Sequence, residues 1–218
     1  MYTLAYNTTG AGCSVVLLKD RKDIDTIERS MDFGQAEALI PEIKNILDKN
    51  SITMKDVSLL VVCVGPGSFT GVRAGISAAR SFGIAVPNMT VLGVNSFEGY
   101  AHSLSPEDVS AYNLVVIETK REDFYYQIFD KNLAQITPPS AGTKEEIIKQ
   151  LRGKHLTITG DGVERFLFEP TGLSLDKIFM PTSMPVLGLA HIGIDKLQKK
   201  EADYPKPLYI RAPDVCLK

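Results

Sequence analysis

Leu59-Leu60-Val61-Val62-Cys63-Val64 runs without a gap into Gly65-Pro66-Gly67-Ser68-Phe69-Thr70-Gly71-Val72-Arg73-Ala74-Gly75. A continuous valine-rich run suits a strand buried on both faces. The glycine-proline turn ends it, and a helix is predicted from about Ser68 to Ala85. As a phosphate loop the segment lacks the lysine of GxxxxGK, and GxGxxG is absent because the glycine after Gly67 is Gly71. Strand, glycine turn and helix N-terminus still offer exposed N–H groups to an anion. Spacing supports a different reading. Gly67, Gly71, Gly75, Ala79 and Gly83 recur every four residues, which places small side chains on one slowly turning stripe. Each interior glycine costs about 0.8–1 kcal/mol of helix propensity, so the stripe marks a close backbone approach. Two surfaces qualify: the protein's own sheet, or a helix of another subunit with Arg73, Ser77 and Arg80 beside the seam.

Working outward, Thr3 to Tyr6 and Ser14 to Leu18 flank the turn Asn7-Thr8-Thr9-Gly10-Ala11-Gly12 and read as a β-hairpin, with a weaker strand at Asp25 to Ser30. Leu39, Ile40, Ile43, Ile46 and Leu47 give Gln35 to Lys49 helical periodicity, and Pro41 predicts a kink or a late start. Thr90 to Val94 is a strand and Asn95 to Ser103 a helix. After the polar stretch Ser103 to Ala111 the order restarts. Leu114 to Glu118 pairs with Phe124 to Asp130, Thr143 and Glu146 cap a helix to Leu151, and His155 to Thr159 is a strand ended by Gly160-Asp161-Gly162. Pro170 to Pro185 reads as irregular and Val186 to Lys200 as a last helix. Two subdomains are expected, residues 1–103 and a smaller, degenerate 112–218. Tandem β-β-β-α-β-α units are the plan of the α/β actin, sugar-kinase and Hsp70 class of ATPases, a likeness of fold and not of chemistry.

Composition narrows the function. The 218 residues are 44% apolar and 23% charged with a net charge of −2, so the chain has a core but no basic excess for gripping nucleic acid alone. No apolar run approaches the ~20 residues of a membrane span, and the first residues lack signal-peptide order, so a cytoplasmic protein is expected. Cys13, Cys63 and Cys216 are scattered and read as reduced, and His102, His155 and His191 form no metal motif.

Val64-Gly65-Pro66-Gly67-Ser68-Phe69-Thr70-Gly71-Val72-Arg73 closely resembles the signature of the bacterial TsaB (YeaZ) family. The likeness extends to Leu4 to Thr8, Cys13 to Val15, Glu37 to Ile43 with its odd proline, Gly93 to Glu98, Gly160 to Gly162 and Pro207 to Arg211. It implies the actin-like fold and a part in making threonylcarbamoyladenosine in tRNA. The implied role is a non-catalytic partner of the paralogue TsaD, which holds the metal and transfers the group, with the small ATPase TsaE joining. It further implies homodimers when unpaired, through the same two helices that receive TsaD, and tRNA contact only within the complex. The residues carried over to that surface are Glu37, Leu39, Ile40, Ile43, Leu47, Phe69, Gly71, Val72, Arg73, Gly75, Ile76, Ala79 and Arg80. The sequence departs from the family where Asn7 replaces an aspartate, Gln35-Ala36-Glu37 replaces HSE, and Glu118 to Tyr125 replaces a glycine-bearing hairpin.

Those departures bear on catalysis. An ATPase of this fold grips phosphates between two hairpin turns, with a carboxylate positioning metal or water. Asn7 is neutral, so Asn7, Thr8 and Thr9 are expected to offer at most a weak, vestigial nucleotide contact, and the second turn has no glycine to admit a phosphate. Glu118, Glu122 and Asp123 outnumber Lys120 and Arg121 there, which disfavours a triphosphate. Ser68 and Ser14 have no nominated histidine and acid. Asp161 reads as a turn former before a general base. Lys196, Lys199, Lys200 and Lys206 suit a solvated helix end more than a tRNA contact. The expectation is a scaffold with no catalytic residues, no metal and no cofactor, ATP binding being at most weak or shared across the complex. The alternative is a self-sufficient small-molecule kinase or ATPase.

Overall fold

The computed structural model describes residues 1–201 and 203–211; Cys216 lies outside them. β1 (Tyr2–Asn7) and β2 (Gly12–Lys19) form the expected hairpin, with Asn7 opposite Ser14. β3 (Lys22–Ser30) adds a longer edge than expected, mostly exposed and charged, which discourages pairing with another sheet. β4 (Val57–Cys63) lies parallel to β1, and β5 (Thr90–Val94) parallel to β4. The sheet order is β3-β2-β1-β4-β5. Valine-rich β4 is sandwiched as its sequence demands. Leu60 and Val62 pack with Leu39, Ile43, Val72 and Ile76 of α1 (Gln35–Lys49) and α2 (Phe69–Ala85). Leu59, Val61 and Cys63 face the other way, toward Phe97 of α3 (Ser96–Ala101). α1 starts at Gln35, ahead of Pro41, and Pro41 is exposed, so the carbonyl it leaves unpaired lies on the water side.

The second sheet repeats the plan. β6 (Tyr112–Glu118), β7 (Phe124–Asp130) and β8 (Ser140–Gly142) are antiparallel; β9 (His155–Thr159) joins β6 in parallel after α4 (Lys144–Leu151). α5 (Val163–Leu167) then leads to β10 (Ser174–Ile178), giving the order β10-β9-β6-β7-β8. β10 corrects the irregular reading of Pro170 to Pro185. It is an edge strand with a register shift and charged Asp176 and Lys177, so no apolar run announces it.

α6 (Val186–Lys199) belongs spatially to the first sheet. Gly193 marks the contact, since a Cβ there would collide with the side chain of Val61. Leu189, Ala190 and Ile192 share one core with Ala5, Val16 and Val61, and with Val115 and Ile117 of the second sheet. The boundary near residues 103–112 thus separates the sheets, while the final helix returns across it. Among the described residues no helix is long and apolar enough to cross a membrane.

Candidate functional site: the helix pair and the interlobe cleft

Ser68 caps α2, its Oγ accepting from the Gly71 amide at 3.3 Å. The first hairpin turn lies directly against that helix. The Thr8 hydroxyl donates to the Gly71 carbonyl at 2.7 Å, the Tyr6 hydroxyl to that of Gly75 at 2.8 Å, and the Ser68 amide to that of Thr9 at 2.7 Å. A Cβ at Gly71 would run into the Thr8 carbonyl, and one at Gly75 would stand 2.8 Å from Thr8 Oγ1. The small-residue stripe therefore faces the protein's own hairpin and sheet.

Part of the expected partner surface lies buried within the chain. Leu39, Ile43, Leu47, Gly71, Val72, Gly75, Ile76 and Ala79 are all buried beneath the helix pair, where they support it without reaching a partner. Arg80 is half-buried, and its guanidinium donates to the Pro205 carbonyl at 2.7 and 3.2 Å. Glu37, Ile40, Phe69 and Arg73 do reach solvent, with Ile40 50% and Phe69 43% exposed. Sequence reasoning missed two further exposed apolar residues, Phe33 just before α1 at 90% and Ile84 near the end of α2 at 80%. Phe33 had a legible signal, an aromatic between Asp32 and Gly34 in a polar loop; Ile84 had none, since its helical spacing also suits a core.

Between the lobes lies a cleft of about 790 Å³, lined by Asn7, Thr9, Ser68, Ser96, Tyr100, Glu118, Arg121 and Asp161 among others. Asn7 Oδ1 accepts from the Thr9 amide at 2.9 Å and the Thr9 hydroxyl at 2.8 Å, so it holds its own turn. Thr8 is turned away, into α2. Thr9 Oγ1 also lies 3.5 Å from Cys63 Sγ and Ser96 Oγ; burial pushes the Cys63 thiol up, which leaves it protonated.

The second turn is less acidic in space than in sequence. Arg165 donates to both carboxylate oxygens of Glu118, at 2.7 and 2.8 Å, and Arg211 pairs with buried Asp123. Partial burial opposes the charge on Glu118, but the Arg165 guanidinium together with the Lys120 and Thr119 amides outweighs it and holds the carboxyl below its usual range. The acidic excess expected there is offset by two arginines that sequence order does not bring near. Asp161 Oδ1 accepts from the Glu118 amide at 2.9 Å, with the Tyr100 hydroxyl alongside. Burial pushes Asp161 up to about 6 and raises Tyr100 as well. Asp161 thus ties its loop to the second hairpin and touches α3 of the opposite lobe. His155 pairs with Asp176, and among the described residues no three His, Cys, Asp or Glu side chains converge on a metal position.

Two hairpin-led sheets of identical order, facing each other across a cleft, define an actin-like ATPase fold. The solved structure of YeaZ from Pseudomonas aeruginosa has that fold, with a TM-score of 0.82 at 18% identity over 95% of this chain and 99% of that one. Residues 34–216 match the family model described as TsaD, tRNA N6-adenosine threonylcarbamoyltransferase, and the chain belongs to this family, on its TsaB (YeaZ) branch. It is 25% identical over 225 residues to the tRNA threonylcarbamoyladenosine biosynthesis protein TsaB of Escherichia coli K12, covering 97% of this chain and 95% of that protein. The Haemophilus influenzae TsaB is 28% identical over 224 residues, covering 95% and 92% respectively.

Proposed function

We propose that this protein is an accessory subunit in the formation of threonylcarbamoyladenosine beside the tRNA anticodon, working in the cytoplasm. It pairs through the outward faces of α1 and α2 with a TsaD paralogue that carries out the transfer. TsaE joins that pair, tRNA is met only through the complex, and the unpaired chain associates with itself by the same face. The observation that carries this reading is Ile40, Phe69, Arg73 and Ile84 in solvent on two helices whose inner faces are fully packed. An exposed apolar face rimmed by charge suits a protein partner. The polar groups at the first hairpin turn are meanwhile engaged with their own backbone, which disfavours phosphate transfer by this chain alone.

Light scattering after size exclusion, on the chain alone and mixed with its TsaD paralogue, tests the reading. A homodimer converting to a one-to-one heterodimer is expected; a chain that ignores the paralogue defeats it. The cleft supports a second reading, a self-sufficient kinase or ATPase, because its volume accommodates a nucleotide. ATP hydrolysis by the purified chain, lost in Asn7→Ala, would establish that alternative.

A further inference from the structure

Residues 203–211 contain no helix or strand, yet they are held at several points. The Gly93 amide donates to the Asp203 carbonyl at 3.1 Å, and the Leu208 amide to the Val64 carbonyl at 2.8 Å. Arg80 grips the Pro205 carbonyl, and its guanidinium lies 5.3 Å from the ring centre of Tyr204. Further along, the Tyr209 ring stands 5.5 Å from that of Phe69, and Phe69 carries the Arg73 guanidinium at 4.8 Å. The strap then crosses to the second lobe, where Arg211 pairs with Asp123 and lies 6.0 Å from the Tyr125 ring. Asp123 is only 8% exposed, so its carboxylate depends on a counter-charge. A cavity of about 330 Å³, walled by Pro66, Val72, Tyr125 and Ile210, lies beside the strap, and Ile210 packs against the core that the two sheets share. Arg211 supplies the charged part of that connection.

We propose that this strap is a positioning element: Arg211 on Asp123 and Tyr209 on Phe69 fix the first turn of α2 against the second lobe and preorganise Phe69 and Arg73 for the partner subunit. The inference rests on the helix-pair reading of the partner surface. Without the strap, those side chains must be ordered during association, which costs affinity without removing any contact.

The test is calorimetric titration of the full chain with its TsaD paralogue, for wild type, Arg211→Ala, Arg211→Lys and Tyr209→Ala. Hydrogen exchange at the Leu208 amide is followed in parallel. Arg211→Ala and Tyr209→Ala should each weaken binding about tenfold, and the charge-preserving Arg211→Lys by no more than about twofold. Leu208 exchange should rise about tenfold in Arg211→Ala while unfolding stays cooperative. Tyr209 is 42% exposed, so its variant keeps the test valid if Arg211→Ala does not fold. Wild-type binding with undiminished affinity in Tyr209→Ala and in any folded Arg211→Ala overturns the strap's role and leaves the surface standing. No wild-type binding removes the surface itself, and the strap's role with it.

Discussion

α2 runs for 17 residues and its counterpart α5 for five, yet each follows a parallel strand and a glycine turn in the same place of its lobe. Both lobes also require a glycine against their own first hairpin. A Cβ at Gly71 would strike the Thr8 carbonyl, and one at Gly160 the Val116 carbonyl. Both hairpin turns are braced alike. Asn7 accepts from the amide two residues on at 2.9 Å, and Glu118 does the same toward Lys120 at 2.6 Å. The close-approach glycine therefore belongs to the fold, since the lobe without a long helix needs it too. What the first lobe has in addition is the outward face of two long helices, and that is where a partner-binding role is to be sought.

The severest test of this contrast is Gly71→Ala set beside Gly160→Ala. Each places a methyl group on a carbonyl, and Gly160 also has φ +121°, so each should cost about 3 kcal/mol or more, read by denaturant unfolding. A Gly71 variant with wild-type stability but no pairing would return the stripe to the interface. Next come Ile43→Ala and Ile147→Ala, the same truncation on the corresponding helices α1 and α4. Both side chains are buried in their own lobe's core, so each should lose about 2–5 kcal/mol. A loss at only one would mean that the lobes do not share one packing logic.

Asp161 sharpens the comparison through pH. Its carboxyl is raised from 3.8 to about 6 in the folded protein, so folded chains keep a proton that unfolded chains release. That favours folding fully below about pH 4 and is lost as pH rises toward 6. Asp161→Asn should flatten this dependence, a difference on the order of 2 kcal/mol in unfolding free energy. Equal pH profiles for the two proteins would mean that burial is not what governs this carboxyl. The smallest effect on stability belongs to Ile40→Asp. At an exposed site it should change unfolding by about 0.5 kcal/mol or less while weakening pairing at least about tenfold. Unchanged pairing would remove Ile40 from the interface.

Much of this was legible from residue order. The valine-rich strand, both hairpins, the Thr143–Glu146 capping box and the recurrence of the unit follow from periodicity and turn chemistry, which are local. Direction was not legible. A four-residue glycine stripe specifies close approach without saying to what, and only the Thr8 and Tyr6 hydroxyls meeting it from the first hairpin decide. Nor does an amphipathic final helix name its sheet; α6 returns to the first because Gly193 accommodates Val61. β10 escaped because an exposed edge strand carries no apolar run. The cleft's charge was misjudged for a similar reason, as Arg165 and Arg211 reach Glu118 and Asp123 across 47 and 88 residues of chain.

In the proposed function it is the outward face of α1 and α2, rather than the cleft or the second lobe, that receives the partner. Hydrogen exchange of the chain with and without its TsaD paralogue tests it most directly. Added protection is expected to be confined to residues 35–49 and 69–85, with the hairpin turn at 118–124 unchanged. Protection centred on the second hairpin or on α5, with the helix pair exchanging as before, would contradict it.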